Sequence, residues 1–252
     1  MKIIASDYDG TLNHGGIDDK KRAAIKKWRD AGNVFAIVSG RGPDDAFDII
    51  EKNKLEIDYF VANNGAIILN SEGERASDIR CSGDLALPVI KLLFECGCTR
   101  AHVQTDFPCS VYNSKTDFNE AGAYNPEDVP PIPYFNQIST FLPDYETAKK
   151  VTADVKEKFG EFVNPLQNGT CIDIVRVDID KAKGIYLLLN ILGAKHDDII
   201  AVGDNINDRA MIEEFRSYAM DNGIEIIKEL ADNTVSSVTE LIEKELECCV
   251  NT

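Results

Sequence analysis

Two carboxylates one residue apart, Asp7 and Asp9, follow a short apolar run at residues 2–6. The run is typical of a buried strand, and two anions held close at its end repel each other unless a cation or a proton intervenes. Mg²⁺ suits such a pair because it prefers hard oxygen ligands. A carboxylate held by Mg²⁺ can attack phosphorus, and its neighbour can give a proton to the leaving oxygen and take one from water. For DYDGT taken alone, a calcium-binding loop or a polar turn is the alternative.

A second acidic cluster, Gly203-Asp204-Asn205-Ile206-Asn207-Asp208, also follows an apolar run. Asp204 could complete a Mg²⁺ site begun by Asp7 and the main-chain carbonyl of Asp9. Asp208 stands in the first turn of a predicted helix, where it could hold the metal or its waters. An ordinary helix cap is the alternative, since Asp and Asn are favoured at that position.

Groups suited to a phosphate stand at two further places. Ser39-Gly40-Arg41 follows the apolar run 34–38, and a hydroxyl with backbone N–H groups at a helix start can hold phosphate oxygens. The alternative is a common Ser-Gly turn. Lys181 and Lys183 both begin an apolar helix, and either could neutralise charge in a transition state. Each lysine taken singly would be a solvated surface residue.

Strands and helices alternate around these motifs. The predicted strands of this part are residues 2–6, 34–38, 59–62 and 199–202, and the predicted helices are residues 18–31, 44–54, 181–192 and 207–215. This alternation predicts an α/β fold, a doubly wound, mainly parallel sheet of Rossmann type with right-handed crossovers. The polar motifs follow the carboxyl ends of strands, where open α/β sheets bind ligands.

The middle of the chain follows a different pattern. Its predicted strands are residues 101–106, 110–115, 138–142, 161–166 and 171–178, its predicted helices are residues 85–96 and 145–159, and a long loop covers 119–133. The Asn-Gly pair at 168–169 is a strong hairpin signal. This pattern predicts an inserted α+β cap domain with an antiparallel sheet over residues 81–180, between core segments 1–80 and 181–252.

The composition is globular and disfavours several partners. The 252 residues are 44% hydrophobic, and 43 acidic against 27 basic residues give a formal net charge of −16. Nucleic acid and anionic membranes are therefore poor partners. No apolar run reaches the roughly 18 residues of a membrane span, and the early Asp7 argues against a signal peptide, so a cytoplasmic protein is expected. The seven cysteines are expected to be reduced thiols.

Taken together and in this order, DYDGT, Ser39, a lysine and GDNIND resemble the motifs of the haloacid dehalogenase superfamily of phosphatases. The insert between the second and third motifs resembles a type-2 cap. Residues 63–66, NNGA, and 218–223, YAMDNG, resemble segments of the Cof-type sugar-phosphate phosphatases, except that Asp221 stands where that subfamily usually has Gly. The resemblance covers both core segments, whereas the cap matches only in the order of its elements.

The resemblance implies that Asp7 is the nucleophile and Asp9 the general acid and base. The family's usual pattern of apolar residues and a final Gly fits a count from Lys181 and breaks from Lys183. The expected catalytic residues are Asp7, Asp9, Ser39 and Lys181. The expected Mg²⁺ ligands are Asp7, Asp9, Asp204 and Asp208. The expected substrate contacts are Ser39, Gly40, Arg41, Lys181 and Asn207.

The expected function is Mg²⁺-dependent hydrolysis of a small phosphorylated metabolite through an aspartyl-phosphate on Asp7. A sugar phosphate is the family default, and phosphoglycolate or a polyol phosphate is the alternative. A phospho-acceptor signalling domain and a non-hydrolytic binding protein are alternatives of another class, although receiver domains run about half this length. Cap candidates for the leaving group are Asn113, Lys115, Arg176 and the 119–133 loop. A monomer and a dimer both remain open.

Overall fold

The computed structural model of the chain describes residues 1–113 and 122–250. It divides into two compact units, which we call the core unit (Met1–Ser77 with Lys181–Thr252) and the insert (Asp78–Asp180). Within the described residues the strands are, in chain order, β1 (Ile3–Ser6), β2 (Val34–Val38), β3 (Tyr59–Ala62), β4 (Ile67–Asn70), β5 (Arg75–Asp78), β6 (Cys81–Ser82), β7 (Arg100–Gln104), β8 (Cys109–Tyr112), β9 (Ala123–Tyr124), β10 (Tyr134–Phe135), β11 (Gln137–Phe141), β12 (Val163–Asn168), β13 (Cys171–Arg176), β14 (Ile199–Gly203), β15 (Ser217–Met220) and β16 (Asn233–Val235). The α-helices are α1 (Asp19–Asp30), α2 (Pro43–Asn53), α3 (Ala86–Glu95), α4 (Tyr145–Phe159), α5 (Lys181–Leu192), α6 (Arg209–Glu214), α7 (Glu225–Leu230) and α8 (Val238–Val250).

The core unit is built on one sheet with the strand order β16-β15-β14-β1-β2-β3-β4-β5. Neighbours from β16 to β3 pair in parallel, and β4 runs antiparallel to β3. The central strand β1 is buried along its whole length. Ile4 packs with α1, α2 and α8 on one face, and Ile3 and Ala5 pack with α5, α6 and α7 on the other. A strand covered on both faces needs no polar alternation, which is why the run is apolar throughout.

The parallel pairing fixes where the polar motifs lie. The carboxyl ends of β1, β2 and β14 meet at one edge of the sheet, because these strands are neighbours that run in the same direction. Asp7, Ser39 and Asp204 each follow one of these strands directly. The fold therefore gathers residues from both ends of the chain at a single edge.

The insert has its own core. Its six-stranded sheet has the order β12-β13-β11-β7-β8-β9, and a separate two-stranded sheet pairs β10 with β6. Apolar residues of this sheet and of the helices α3 and α4 form one buried cluster. The α+β architecture is as predicted, but the sheet is mixed rather than antiparallel, since β8 and β9 are parallel.

Several predicted elements need correction. The helix predicted over 207–215 begins only at Arg209, because Ile206–Asp208 forms a separate 3-10 turn stabilised by the side chains of Asn205 and Asp208. The described part of the predicted 119–133 loop includes the short strand β9. The core strands β4, β5, β15 and β16 are not among the predicted elements. Lys115 and residues 119–121 lie outside the described residues.

The expectations about membrane spans and cysteines can be compared with the described residues. None of the helices there combines the length and apolarity that crossing a bilayer requires. Five cysteines in the described part are free thiols, at positions 81, 96, 98, 109 and 171. In the segment Cys96-Gly97-Cys98 the side chain of Cys98 is buried, and the Cys96 thiol lies 3.7 Å from a carboxylate oxygen of Asp154.

The close approach of α5 to the turn after β3 gives a test of packing. A Cβ on Gly184 would lie 2.5 Å from the Cα of Gly65 and 2.8 Å from a methyl carbon of Val61. We expect Gly184→Ala to lose about 1–3 kcal/mol through overpacking, which outweighs a helix-propensity gain of about 1 kcal/mol. Urea denaturation measures the difference. The exposed Asn190→Ala on the same helix is the control, and a Gly184→Ala protein as stable as wild type would contradict this packing.

Candidate active site

Asp7 lies at the end of β1 and is 5% exposed. Its backbone N–H donates to the carbonyl of Val202 at 2.9 Å, which extends the β1–β14 pairing to the carboxylate itself. The ammonium of Lys181 donates to Asp7 Oδ1 at 2.6 Å. No hydrogen bond from the described residues reaches Oδ2, so this oxygen is the one available for a ligand or a reaction.

Lys181 is the first residue of α5, and its side chain is fully buried. Its ammonium also donates to Asp208 Oδ1 at 2.5 Å. The other oxygen of Asp208 accepts from the backbone N–H groups of Asp204 and Asn205, at 2.9 and 3.0 Å. Asp208 is thus engaged on both oxygens, and it joins the lysine to the loop that carries Asp204.

The buried charges perturb one another. Burial raises the pKa of Asp7 well above its usual value, Lys181 opposes this effect, and Asp208 adds to it. Burial alone would lower the pKa of Lys181, but the carboxylates of Asp208 and Asp7 outweigh it and raise that pKa. Lys181 therefore remains charged at neutral pH, and it supplies the positive charge that a buried carboxylate needs.

Asp204 joins the two acidic motifs. Its Oδ1 accepts a hydrogen bond from Thr11 Oγ1 at 2.6 Å, and burial raises its pKa. Gly10 has a φ of +87°, and a Cβ at that position would lie 2.4 Å from Asp204 Oδ2. Only glycine satisfies both the left-handed backbone and the close approach at this position.

The loop after β15 donates hydrogen bonds to both acidic segments. The backbone N–H of Ile224 donates to the carbonyl of Asp204, and the side-chain amide of Asn222 donates to the carbonyl of Gly10, both at 2.9 Å. Asp221, the residue that departs from the subfamily pattern, is exposed. The loop thus makes hydrogen bonds to both acidic segments with Asp221 in place.

The donor set fits a divalent cation. One carboxylate oxygen from each of Asp7, Asp204 and Asp208 lies within 4.8 Å of the others, and the group contains neither His nor Cys. Three carboxylates stand against the single ammonium of Lys181, so a divalent cation would balance the charge. Oxygen-only ligands favour Mg²⁺ or Ca²⁺ over the softer transition metals.

Asp9 turns away from this buried group. Its side chain is 47% exposed and accepts two hydrogen bonds from Arg41, from Nε at 2.6 Å and from an Nη at 2.8 Å. The guanidinium of Arg41 also lies 5.8 Å from the ring centroid of Tyr8. The carboxylate of Asp9 is thus paired with the guanidinium of Arg41, and the backbone of Asp9 lies in the turn that follows Asp7.

The segment predicted to hold phosphate lies at the end of β2. Ser39 is 2% exposed, and its Oγ accepts the backbone N–H of Arg41 at 3.2 Å. The turn after β3 supports it, because Asn63 and Asn64 donate their backbone N–H groups to the carbonyls of Arg41 and Ser39, both at 2.9 Å. Gly40 lies within this supported segment, just before the start of α2.

The structure brings together Asp7, Lys181, Asp204 and Asp208, and it joins Asp9 to Arg41 in one ion pair. Asn207 is partly buried in the turn Ile206–Asp208. Lys183, the alternative lysine, is exposed and lies 5.5 Å from the ring centroid of Tyr186. In the insert, Arg176 pairs with Asp178, and the side chain of Asn113 donates to the carbonyl of Cys98.

Sequence reasoning missed two contacts. It assigned no contact to Thr11, whereas the hydroxyl of that residue donates to Asp204. It also gave no role to Asn222, which holds the carbonyl of Gly10. Thr in the DYDGT motif and Asn in the YAMDNG segment were the available signals, but neither spacing shows which atom each side chain reaches.

The buried ion triad predicts a large effect on stability. Lys181→Met would leave Asp7 and Asp208 buried without their cation, and we expect a loss of about 3–5 kcal/mol in the free energy of unfolding. Denaturation in the presence of EDTA measures it without help from divalent ions. Lys183→Met on the exposed face is the matched control, expected within about 0.5 kcal/mol of wild type. Equal losses for the two variants would contradict the assignment.

Comparisons with known proteins show the family of the chain. A model of the haloacid dehalogenase-like hydrolase family matches residues 4–241. A 5-amino-6-(5-phospho-D-ribitylamino)uracil phosphatase of Bacillus subtilis is 27% identical in an alignment of 263 positions that spans 91% of each chain. Two solved structures share the fold. A HAD/COF-like hydrolase from Plasmodium vivax has 21% identity and a TM-score of 0.83 over 98% of this chain and 96% of its own. The subclass IIB sugar phosphatase BT4131 has 18% identity and a TM-score of 0.79 over 97% and 98%. The chain therefore belongs to the haloacid dehalogenase-like hydrolase family and is a phosphatase of that superfamily.

Proposed function

We propose that this phosphatase hydrolyses a small phosphate monoester, a sugar or polyol phosphate, through a phosphoryl group carried transiently on Asp7. The observation that supports it most is the hydrogen bonding of Asp7. Lys181 binds one oxygen of this buried carboxylate, and no described residue donates to the other. A carboxylate with one oxygen fixed and one available is positioned for nucleophilic attack.

In the first step Asp7 Oδ2 forms a bond to phosphorus while the ester bond to the leaving oxygen breaks. Asp9 gives that oxygen a proton, so the leaving group departs as an alcohol. The ammonium of Lys181 offsets negative charge that develops on the phosphoryl oxygens. Ser39, Gly40, Arg41 and Asn207 are proposed contacts for these oxygens, and Arg41 would exchange the carboxylate of Asp9 for the phosphate.

In the second step Asp9, now ionised, takes a proton from water as that water attacks the phosphoryl group. The bond between phosphorus and Asp7 breaks, inorganic phosphate leaves, and the carboxylate of Asp7 is restored. The same carboxyl group thus serves as acid and then as base. Its position outside the buried charge cluster leaves it accessible to both the alcohol and water.

Asp7, Asp204 and the carbonyl of Asp9 are the proposed holders of Mg²⁺. Asp208 is the less suited member of the predicted set, because its carboxylate already accepts three hydrogen bonds, whereas the described residues give the carboxylate of Asp7 only one. We propose that Asp208 positions Lys181 and the Asp204 loop. When bound, Mg²⁺ supplies charge neutralisation between the nucleophile and the phosphate.

The substrate class is supported by the relatives. The Bacillus subtilis relative is named for a phosphorylated ribityl chain, and BT4131 is described as a sugar phosphatase. Both names describe phosphate on a hydroxyl-rich carbon chain. The ribityl name favours a polyol phosphate as the second candidate beside a sugar phosphate.

Asp7→Asn tests the nucleophile. The substitution is nearly isosteric, so the fold should survive, but we expect kcat to fall at least about a thousand-fold because covalent catalysis is lost. Phosphate release is measured on a panel of sugar phosphates, polyol phosphates and phosphoglycolate. Asp19→Asn is the control, since the Asp19 side chain is 98% exposed. Near-normal turnover in folded Asp7→Asn would refute the proposed mechanism.

The dependence of activity on Mg²⁺ is tested with the wild-type protein. Because the donor set is oxygen only, we expect activity to vanish after dialysis against EDTA and to return with Mg²⁺. Ca²⁺ should inhibit, because its larger and looser coordination shell misplaces the attacking carboxylate. Phosphate release from the best ester of the panel is the measurement. Full activity after exhaustive chelation would contradict a Mg²⁺ site.

A further inference from the structure

A second buried lysine lies outside the proposed chemistry. Lys21, in the first turns of α1, is 9% exposed. Its ammonium donates to the backbone carbonyls of His14 and Gly16, at 2.5 and 2.6 Å. Removing an ammonium from water is costly, and the two carbonyls offset part of that cost by accepting its hydrogen bonds.

The carbonyls that Lys21 binds end a continuous series of backbone hydrogen bonds that begins at Asp7. Three links follow one another along the chain, from Leu12 N–H to the carbonyl of Asp7, from His14 N–H to Thr11, and from Gly16 N–H to Asn13. Gly15 and Gly16 have φ values of +70° and +85°, and a Cβ on either would meet no atom within 4 Å. The two glycines contribute no side chain that could hold this loop, and Lys21 donates two hydrogen bonds to its backbone.

Asp9 depends on this segment. It lies in the turn Tyr8–Leu12, where its φ of −81° and ψ of 114° depart from helical values. Its side chain is about half exposed, and its hydrogen bonds run to the exposed Arg41, a residue proposed to exchange partners when phosphate binds. The backbone of the turn, rather than packing, must then keep Asp9 in place during proton transfer.

We propose that Lys21 is a positioning residue for proton transfer by Asp9. It fixes the loop His14–Gly16, and through the backbone bonds of that loop it holds the turn that carries the acid. The proposal rests on the proposed function, because it concerns the acid of that reaction. Loss of the ammonium would leave the nucleophile and the Lys181–Asp208 pair intact, while the position of Asp9 would become less defined.

The test uses two esters of nearly the same size that differ in their need for an acid. Nitrophenolate leaves from p-nitrophenyl phosphate with little help from a proton, whereas phenolate leaves from phenyl phosphate less readily. kcat/KM reports the steps up to phosphoryl transfer, where Asp9 acts as the acid. We expect Lys21→Met to lower kcat/KM for phenyl phosphate about ten-fold, a part of what general acid catalysis contributes, and for p-nitrophenyl phosphate about two-fold at most.

Three further variants complete the design. Lys20→Met, one residue earlier on α1 and exposed, should match wild type. Lys21→Gln retains an amide donor and should fall between wild type and Lys21→Met, which keeps the test usable if the methionine variant is unstable. Asp9→Asn gives the pattern of leaving-group dependence that loss of the acid itself produces.

The outcomes separate this inference from the proposed function. Equal losses on both esters in Lys21→Met, or a lower melting temperature with unchanged kcat/KM ratios, would refute the positioning role while wild type and Asp9→Asn behave as proposed. A wild-type protein that releases no phosphate from either ester, or an Asp9→Asn protein without leaving-group dependence, would refute the proposed reaction and this inference with it.

Discussion

The ammonium of Lys181, held between Asp7 and Asp208, is the interaction on which the rest of the core unit depends. A buried carboxylate is stable only with a partner, and here one cation serves two of them at 2.6 and 2.5 Å. The three residues come from a strand end, a helix start and a turn. Satisfying the charges therefore fixes the relative positions of β1, α5 and the loop after β14.

The surrounding backbone adapts to this charge cluster through glycine. A Cβ at position 203 would lie 2.6 Å from the carboxylate of Asp208, just as one at position 10 would collide with Asp204. Gly10 therefore lets the two acidic motifs approach each other, and Gly203 lets the second motif fold back on itself. Thr11 and Asn222 then complete the contact between segments from opposite ends of the chain.

The elements that could be predicted from sequence are those whose own residues carry a hydrophobic pattern. β2 and β3 have the predicted bounds because strands covered on both faces are uninterrupted apolar runs. β15 was missed because its four residues begin with Ser and Tyr, although all of them are buried. The acidic members of the site could be recognised from spacing, whereas the ion pair of Arg41 with Asp9 and the hydrogen bond from Thr11 to Asp204 depend on tertiary approach. Lys21 gave no signal, since a lysine near a helix start is ordinarily solvated.

The central position of β1 in the sheet has a consequence during translation, because the chain is synthesised from its N-terminus. Asp7 and Lys181 are 174 residues apart, and β1 pairs with β14, which begins at residue 199. During translation the first strand therefore has one neighbour, β2, and an open edge until most of the chain has left the ribosome. Unpaired apolar edges invite pairing with other chains, and long-range contacts form slowly. The nascent chain thus keeps this apolar edge open until its last third supplies both the missing strand and the lysine that binds Asp7.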